Sequence, residues 1–389
     1  MDPADFTRAE YDARLARLRA AMDRAGIEVL ILSDPSNMAW VTGYDGWSFY
    51  VHQAVVVGPD SPPLWWGRGM DAAGARRTVW MGADHILGYA DSYVQNPTAH
   101  PMEDLAAVLA ARGWRMLRCG VEMDNYYYSA RAHAVLAGRL PHLADATGLA
   151  NWCRAVKSPA ELERMRRAAR IVEAMHRRIA ELARPGLRKH ELVAEILRIG
   201  TLGAEGHWGD YPAIVPMAPS GMDATAPHLT WDDRPMQAGE SHFFEIAGVY
   251  RRYHCPLSRT LFFGEPPAKY RRAEAAAQAA IAAALAVARP GNTCADVAAA
   301  FNGTLARHGF AKDSRCGYSI GLSYPPDWGE RTMSLRAGDL TVLQAGMCFH
   351  FMPALWLDDG GIEITESLTI TPAGAEPLCR LPGALTVLA

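Results

Sequence analysis

The sequence predicts two domains: a smaller α/β domain over residues 1–152 and an α+β domain over residues 153–389 made of two related halves. Three observations predict this. A chain of 389 residues exceeds what one ordinary core organises. Its first part alternates amphipathic helical segments with short apolar runs, the pattern of an α/β layer. Its second part repeats a helix breaker with matching helices on either side, which points to duplication.

Tyr11, Leu15, Leu18 and Met22 recur at helical spacing, so a helix is expected from about Thr7 to Gly26. The apolar run Val29 to Leu32 reads as a strand that ends at a turn, Ser33-Asp34-Pro35-Ser36-Asn37. Ala54 to Val57 and Pro63 to Trp66 read as strands, and Met102 to Arg112 as a helix. In Ser158-Pro159-Ala160-Glu161, Ser158 can cap a helix, Pro159 suits its first turn and Glu161 completes a capping box. A long helix should follow to about Leu182. Ala183-Arg184-Pro185-Gly186 then precedes Glu191-Leu192-Val193, and Ala288-Arg289-Pro290-Gly291 precedes Asp296-Val297-Ala298, each pair 105 residues apart. β-rich sequence follows each repeat, so two sheets should meet at a cleft, a usual place for a site.

The net charge of −3 gives no footprint for nucleic acid or for an anionic membrane surface. The segment Met1 to Phe6 has neither the basic region nor the apolar stretch of a signal peptide. The Ala-rich run Ala273 to Ala288 is too short to span a bilayer and carries Gln278. Seven scattered cysteines without a Cys-x-x-Cys pair indicate neither a disulfide framework nor a zinc knuckle. A cytoplasmic location is expected.

Unusual residues concentrate in a few segments of the second domain. Glu245 falls inside Phe243-Phe244-Glu245-Ile246-Ala247, where a carboxylate costs several kcal/mol unless it is paired or reactive. The alternative is an outward-facing strand position. His228 sits in the Ala226-Pro227-His228 loop, where a satisfied structural histidine is the competing reading. Tyr253-His254-Cys255-Pro256 leads into Ser258-Arg259-Thr260, and Gly317-Tyr318-Ser319-Ile320-Gly321 leads into Tyr324 to Arg331. Glu363 and Glu366 are an odd number of residues apart, so on one strand they face opposite ways.

These segments, in this order, resemble the creatinase/prolidase/methionine-aminopeptidase superfamily over nearly the whole chain. The resemblance rests on Lys157-Ser158-Pro159, the Pro-His loop, Ser258-Arg259-Thr260, Gly-x-Ser-Ile-Gly and Gly361-Ile362-Glu363-Ile364. Asp34 to Met38, Thr42 to Tyr50 and Tyr324 to Glu330 look most like ectoine hydrolases. The resemblance implies a pita-bread catalytic domain behind a creatinase-type α/β domain. It also implies hydrolysis of a small zwitterionic cyclic amidine, ectoine or hydroxyectoine, to an N-acetylated diamino acid.

Aminopeptidases of this fold bind two metal ions through two Asp, one His and two Glu. The matching positions here are Glu245, Pro256, Tyr318, Met352 and Thr365, with Glu366 one residue on. Pro, Met and Tyr cannot replace these ligands for hard or borderline metals, so no metal and no cofactor are expected. Glu245 is the expected partner of the amidinium. His228 matches a proton-transferring histidine, and its ordinary pKa lies near the working pH. His254 is a candidate to protonate the leaving nitrogen, and Glu363 completes the catalytic set. Arg331 matches the arginine that holds a substrate carboxylate, with Tyr318, Trp328 and Glu366 as further substrate contacts. Creatine fits less well, because the two acidic residues that grip its guanidinium are replaced by Ser258 and Ile364. The family usually forms homodimers, and Trp47, Tyr50 and His52 are candidates for a loop that closes the partner's site.

Overall fold

The computed structural model describes residues 6–389; Met1 to Asp5, on which part of the signal-peptide expectation rests, lie outside them. The chain forms two compact units, Met1–Arg154 and Ala155–Ala389.

In the first unit α1 (Arg8–Ala25) begins at Thr7, whose side chain accepts from the Glu10 N–H, and ends at Gly26 with φ +63°. It is followed by β1 (Val29–Leu32), α2 (Pro35–Thr42), β2 (Ala54–Val57), β3 (Leu64–Arg68), α3 (Ala72–Thr78) and β4 (Ile86–Tyr89). Then come α4 (Pro101–Ala111), β5 (Cys119–Val121), α5 (Ala130–Ala137), β6 (Leu143–Asp145) and α6 (Leu149–Arg154). The strands form one mixed sheet in the order β4-β3-β2-β1-β5-β6. The segment read as a turn after β1 is a helix start. The Asp34 side chain accepts from the Ser36 N–H at 2.8 Å and Pro35 takes the first turn. Buried Glu122 accepts from the Ser33 and Asp34 N–H groups at 2.7 and 2.9 Å and from the Asn37 amide. Asn37 in turn receives Arg154 Nη1 at 2.7 Å. The Asp-Pro-Ser-Asn string therefore serves architecture in this unit.

The second unit opens with α7 (Pro159–Leu182), which starts in a complete Ser158/Glu161 capping box, and α8 (Lys189–Leu202). β7 (His242–Tyr250) and β8 (Tyr253–Phe263) form a long antiparallel pair, followed by α9 (Ala268–Val287) and α10 (Cys294–Arg307). The remaining strands are β9 (Gly317–Ile320), β10 (Gly329–Leu335), β11 (Cys348–Phe351), β12 (Ala354–Leu357), β13 (Gly360–Glu363), β14 (Glu366–Thr371), β15 (Gly374–Pro377) and β16 (Thr386–Leu388). One sheet runs β16-β8-β7 and another runs β10-β9-β11-β14-β15. The duplication is visible in the backbone. Gly186 and Gly291 both take left-handed φ, +87° and +95°, which favours glycine at the two breakers. The residue just before each following helix, Arg188 or Thr293, forms an isolated bridge, to Pro235 and Val342 respectively. This is the pita-bread arrangement of paired α+β halves. Among the described residues no helix is long and apolar enough to cross a membrane.

A buried ion pair supports the β9–β10 corner. Lys157 Nζ lies 2.5 Å from Glu330 Oε2, and both side chains are about 1% exposed. Gly321 leaves room beside them, because a Cβ there would press on Glu330 Oε1. Lys157→Met removes this cation from a buried carboxylate and should cost about 3–5 kcal/mol in urea unfolding, whereas Lys157→Met with Glu330→Leu should recover most of it. A single variant that loses less than about 1 kcal/mol would show that the pair is not a structural determinant.

Candidate functional site

Strand alternation sorts the charges of the β7–β8 pair. Glu245 stands opposite Ser258 and Phe244 opposite Arg259, so Glu245 and Ser258 share one face and Phe244 and Arg259 the other. On the second face the Arg259 guanidinium meets Glu366 Oε1 at 2.6 Å and donates to the carbonyls of Thr365 and Pro382 at 2.5 and 2.8 Å. Its donors are occupied in closing the C-terminal segment over the sheet. A cavity of about 220 Å³ on this face is lined mainly by apolar residues such as Ile179, Phe244 and Leu261. It contains neither Glu245 nor Glu363, so this cavity is not where the two carboxylates meet.

On the first face two carboxylates are buried together. Glu245 is 3% exposed and Glu363 is 1% exposed. Ser258 Oγ donates to Glu363 Oε2 at 2.8 Å. Burial raises Glu245 well above the ordinary carboxylate range, and the nearby charge of Glu363 adds to it. Burial pushes Glu363 up to about 7, opposed by the Ser258 hydrogen bond and by Lys312. Half-buried Lys312 is itself lowered by burial. Among the described residues no Lys or Arg nitrogen lies within 4 Å of either carboxylate; His350 Nδ1 lies 3.9 Å from Glu245 Oε1. His350 is fully buried and is held down to about 3, chiefly by burial and then by Arg315, so it is neutral. The arrangement is acceptor-rich and short of cations, suited to a positively charged ligand.

A hydrogen-bond chain flanks the carboxylates. Trp328 Nε1 donates to Tyr318 Oη at 2.6 Å, and Tyr318 Oη lies 3.1 Å from His350 Nδ1. His350 Nε2 lies 2.9 Å from Thr365 Oγ1, which also accepts from the Ser258 N–H at 2.7 Å. Burial, then the charge of Glu245, raises Tyr318 well above its ordinary value, so the phenol keeps its proton.

The structure brings Glu245, Glu363 and Tyr318 into this cluster. Of the other expected site residues, Glu366 and His254 are committed to other partners. Glu366 is committed to Arg259 on the opposite face, which removes it as a contact for a ligand held by Glu245. His254 accepts from the Ala213 N–H at Nε2, 2.8 Å, and its Nδ1 lies 2.8 Å from the Arg252 carbonyl. Burial holds His254 down to about 3. With both nitrogens engaged by backbone it has no proton for a leaving group. Trp328 is fully buried and its one polar atom supports Tyr318, so it acts behind Tyr318. His228 is exposed in the loop after the Gly221–Thr225 turn and, among the described residues, makes no protein hydrogen bond. Arg331 is exposed on a bulge of β10 with φ +56°, a strained backbone for a residue other than glycine. Trp47 and Tyr50 are exposed and His52 half-buried in the first unit, where burial and then His100 lower His52 to about 4.

Sequence reasoning missed His350 and Lys312. His350 carried the same signal as Glu245, a polar residue inside a buried apolar run, Cys348-Phe349-His350-Phe351. Lys312 sits in a polar loop and carried none.

Residues 163–372 match the model of metallopeptidase family M24, and residues 14–156 match the creatinase/prolidase N-terminal domain. The chain is 57% identical to the ectoine hydrolase of Halomonas elongata over 98% of each chain. It is 40% identical to an uncharacterised hydrolase/peptidase of Sinorhizobium fredii, again over 98% of each. Among solved structures, dipeptidase PepE from Mycobacterium ulcerans superimposes with a TM-score of 0.82 at 25% identity, covering 98% of this chain and 99% of that one.

Family M24 is one of metallopeptidases, yet the donors present here are poor metal ligands. Thr365 lies in the cluster and Glu366 faces away, so a one-residue shift does not restore a carboxylate ligand. Tyr318 and Thr365 are committed to His350, and Pro256 and Met352 offer no ligand suited to a hard cation. Among the described residues no three His, Cys, Asp or Glu side chains converge as a metal set. The residues do not fit a dinuclear centre.

The raised Glu363 has a stability consequence. Its folded pKa, about 7, exceeds the ordinary 4.5, so its contribution is fully present below about 4.5 and is lost as pH rises through about 7. Thermal unfolding should therefore show Glu363→Gln gaining on the wild type by on the order of 1–3 kcal/mol between pH 5 and 8. A difference that stays flat across that range would mean Glu363 is ionised throughout.

Proposed function

The chain belongs to metallopeptidase family M24, on its creatinase/prolidase side, and we propose that it opens the ring of a cationic cyclic amidine, ectoine or hydroxyectoine, without a metal ion. The observation that carries this reading is the buried Glu245–Glu363 pair, which has no Lys or Arg within 4 Å among the described residues. A carboxylate pair left in that condition is destabilising in the free protein and favourable once a cation arrives. The similarity to the Halomonas elongata ectoine hydrolase supports the choice of cation.

An amidinium carries positive charge over two nitrogens and an electrophilic carbon between them. A carboxylate is attracted to it, whereas a dication in the same place would repel it. Glu245 stands against that carbon and supplies an electron pair, to the carbon or to a proton of water. An oxygen becomes bonded to the carbon, one carbon–nitrogen bond breaks, and its electrons stay on the leaving nitrogen. Overall one water is consumed: oxygen ends as the amide carbonyl and both hydrogens end on the released amine. Glu363, with a pKa near neutrality, is proposed to exchange a proton with Glu245. Arg331, on its bulge, is proposed to hold the substrate carboxylate, and His228 to complete the site from its loop. We also propose a homodimer in which the exposed loop bearing Trp47 and Tyr50 closes the partner's site.

Incubation with ectoine should give a product heavier by one water, and the rate should persist in excess chelator. Glu245→Gln should lower turnover about a hundredfold or more while its melting temperature holds or rises. Activity lost to chelator and restored by a divalent metal would overturn the metal-free reading. A wild type that leaves ectoine intact would overturn the substrate, and a destabilised Glu245→Gln with near-normal turnover would make Glu245 architectural.

A further inference from the structure

The chain from Trp328 to Ser258 contains more hydrogens than hydrogen bonds. Its four contacts are Trp328–Tyr318, Tyr318–His350, His350–Thr365 and Thr365–Ser258. Five hydrogens compete for them: the Trp328 and Ser258 N–H groups, the two hydroxyls, and the single N–H of a neutral imidazole. The Trp328 and Ser258 hydrogens are fixed by ring and backbone. The hydrogen left over therefore belongs either to Thr365 or to Tyr318.

Burial decides between them. Thr365 is 0% exposed and its hydroxyl has no other polar partner among the described residues, so an idle hydroxyl hydrogen there would be enclosed and unsatisfied. Tyr318 is 9% exposed and lies on the side of Glu245. The Thr365 hydroxyl accordingly donates to His350 Nε2, which places the imidazole hydrogen on Nδ1, donating to Tyr318 Oη. Trp328 donates to the same oxygen. Both acceptor positions of Tyr318 are then filled, and its own hydrogen has no protein acceptor among the described residues. Tyr318 is a donor only, by construction.

A cationic amidine ring presents N–H groups, which cannot accept that hydrogen. The acceptor must be an oxygen, and the oxygen close to both Tyr318 and Glu245 is the one that forms the new bond to carbon. We propose that Tyr318 is a catalytic donor to the oxygen bonded to the amidine carbon, and that His350 is the positioning residue that turns the Tyr318 hydroxyl toward it. The proposal rests on the amidine-hydrolase reading above. Tyr318 keeps its proton throughout; it stabilises charge on the reacting oxygen as an oxyanion-hole hydroxyl does.

Two measurements test this. In 15N-histidine NMR, the ring signals lost in His350→Gln should belong to the Nδ1–H tautomer at neutral pH; the Nε2–H tautomer overturns the proposal without reference to activity. In kinetics with ectoine, Tyr318→Phe should lower kcat by about a hundredfold or more with KM changed by less than about threefold. His350→Leu should lose part of this, His350→Gln less because its amide can still donate, and the double variant His350→Leu with Tyr318→Phe no more than Tyr318→Phe alone. Additive losses would make His350 independent of Tyr318. A raised KM at unchanged kcat would put the hydroxyl on the substrate carboxylate, and either result overturns the assignment. A wild type inactive on ectoine overturns the parent reading, whereas an active wild type with an unaffected Tyr318→Phe overturns this inference alone.

Discussion

The pleat of one antiparallel pair governs the second unit. Because side chains alternate across a strand, the β7–β8 register that puts Arg259 opposite Phe244 must put Glu245 opposite Ser258. The guanidinium therefore serves Glu366 and the C-terminal carbonyls on one side, while Glu245 and Glu363 are left together on the other without a guanidinium. A shift of register by one residue would exchange the faces and bring Glu245 to the side of Arg259. The same ladder that closes the core thus keeps two carboxylates in a state they would not choose singly. The helices and the long sheet carry the stability that allows it.

The residues beside the carboxylates fit this charge state. Relatives that use metals need anionic ligands converging on a dication. Here the matching positions hold Tyr318 and Thr365, which pass hydrogens along a chain through neutral His350 instead of supplying charge. Neutral donors leave the pair's negative character undiminished, and they hold their geometry through Trp328 and the Ser258 backbone. The Lys157–Glu330 pair does a related task at the β9–β10 corner, supporting the bulge that presents Arg331.

Much of this was legible in the residues because it is written in local chemistry. Thr7 and Gly26 bracket α1, the Ser158/Glu161 box starts α7, and the two Arg-Pro-Gly breakers mark matching left-handed glycines. Glu245 was legible because a carboxylate in an apolar strand is unusual anywhere. Other features depended on partners distant in sequence. His254 looked reactive because its neighbours in sequence do not include the Ala213 N–H that occupies it. Glu363 and Glu366 do part company, but not by alternation along one strand: Glu363 ends β13 and Glu366 opens β14, and the position of Arg259 shows that Glu366 faces away from Glu245. The Asp34–Asn37 segment read as a turn because Asx and Pro serve turns and helix starts alike, and the Pro35–Thr42 helix that it opens is short.

If the pair is held for a cation, the arriving charge should lower its pKa and expel a proton. The most direct test is calorimetric titration near pH 7, in two buffers of different ionisation enthalpy, with a cyclic guanidine carboxylate that carries the same charges as the substrate but resists hydrolysis. The expected result is release of roughly one proton per bound ligand in the wild type, and little or none in Glu245→Gln. Binding heats that do not depend on the buffer would contradict it, because Glu245 and Glu363 would then already be in their final charge state before any cation arrives.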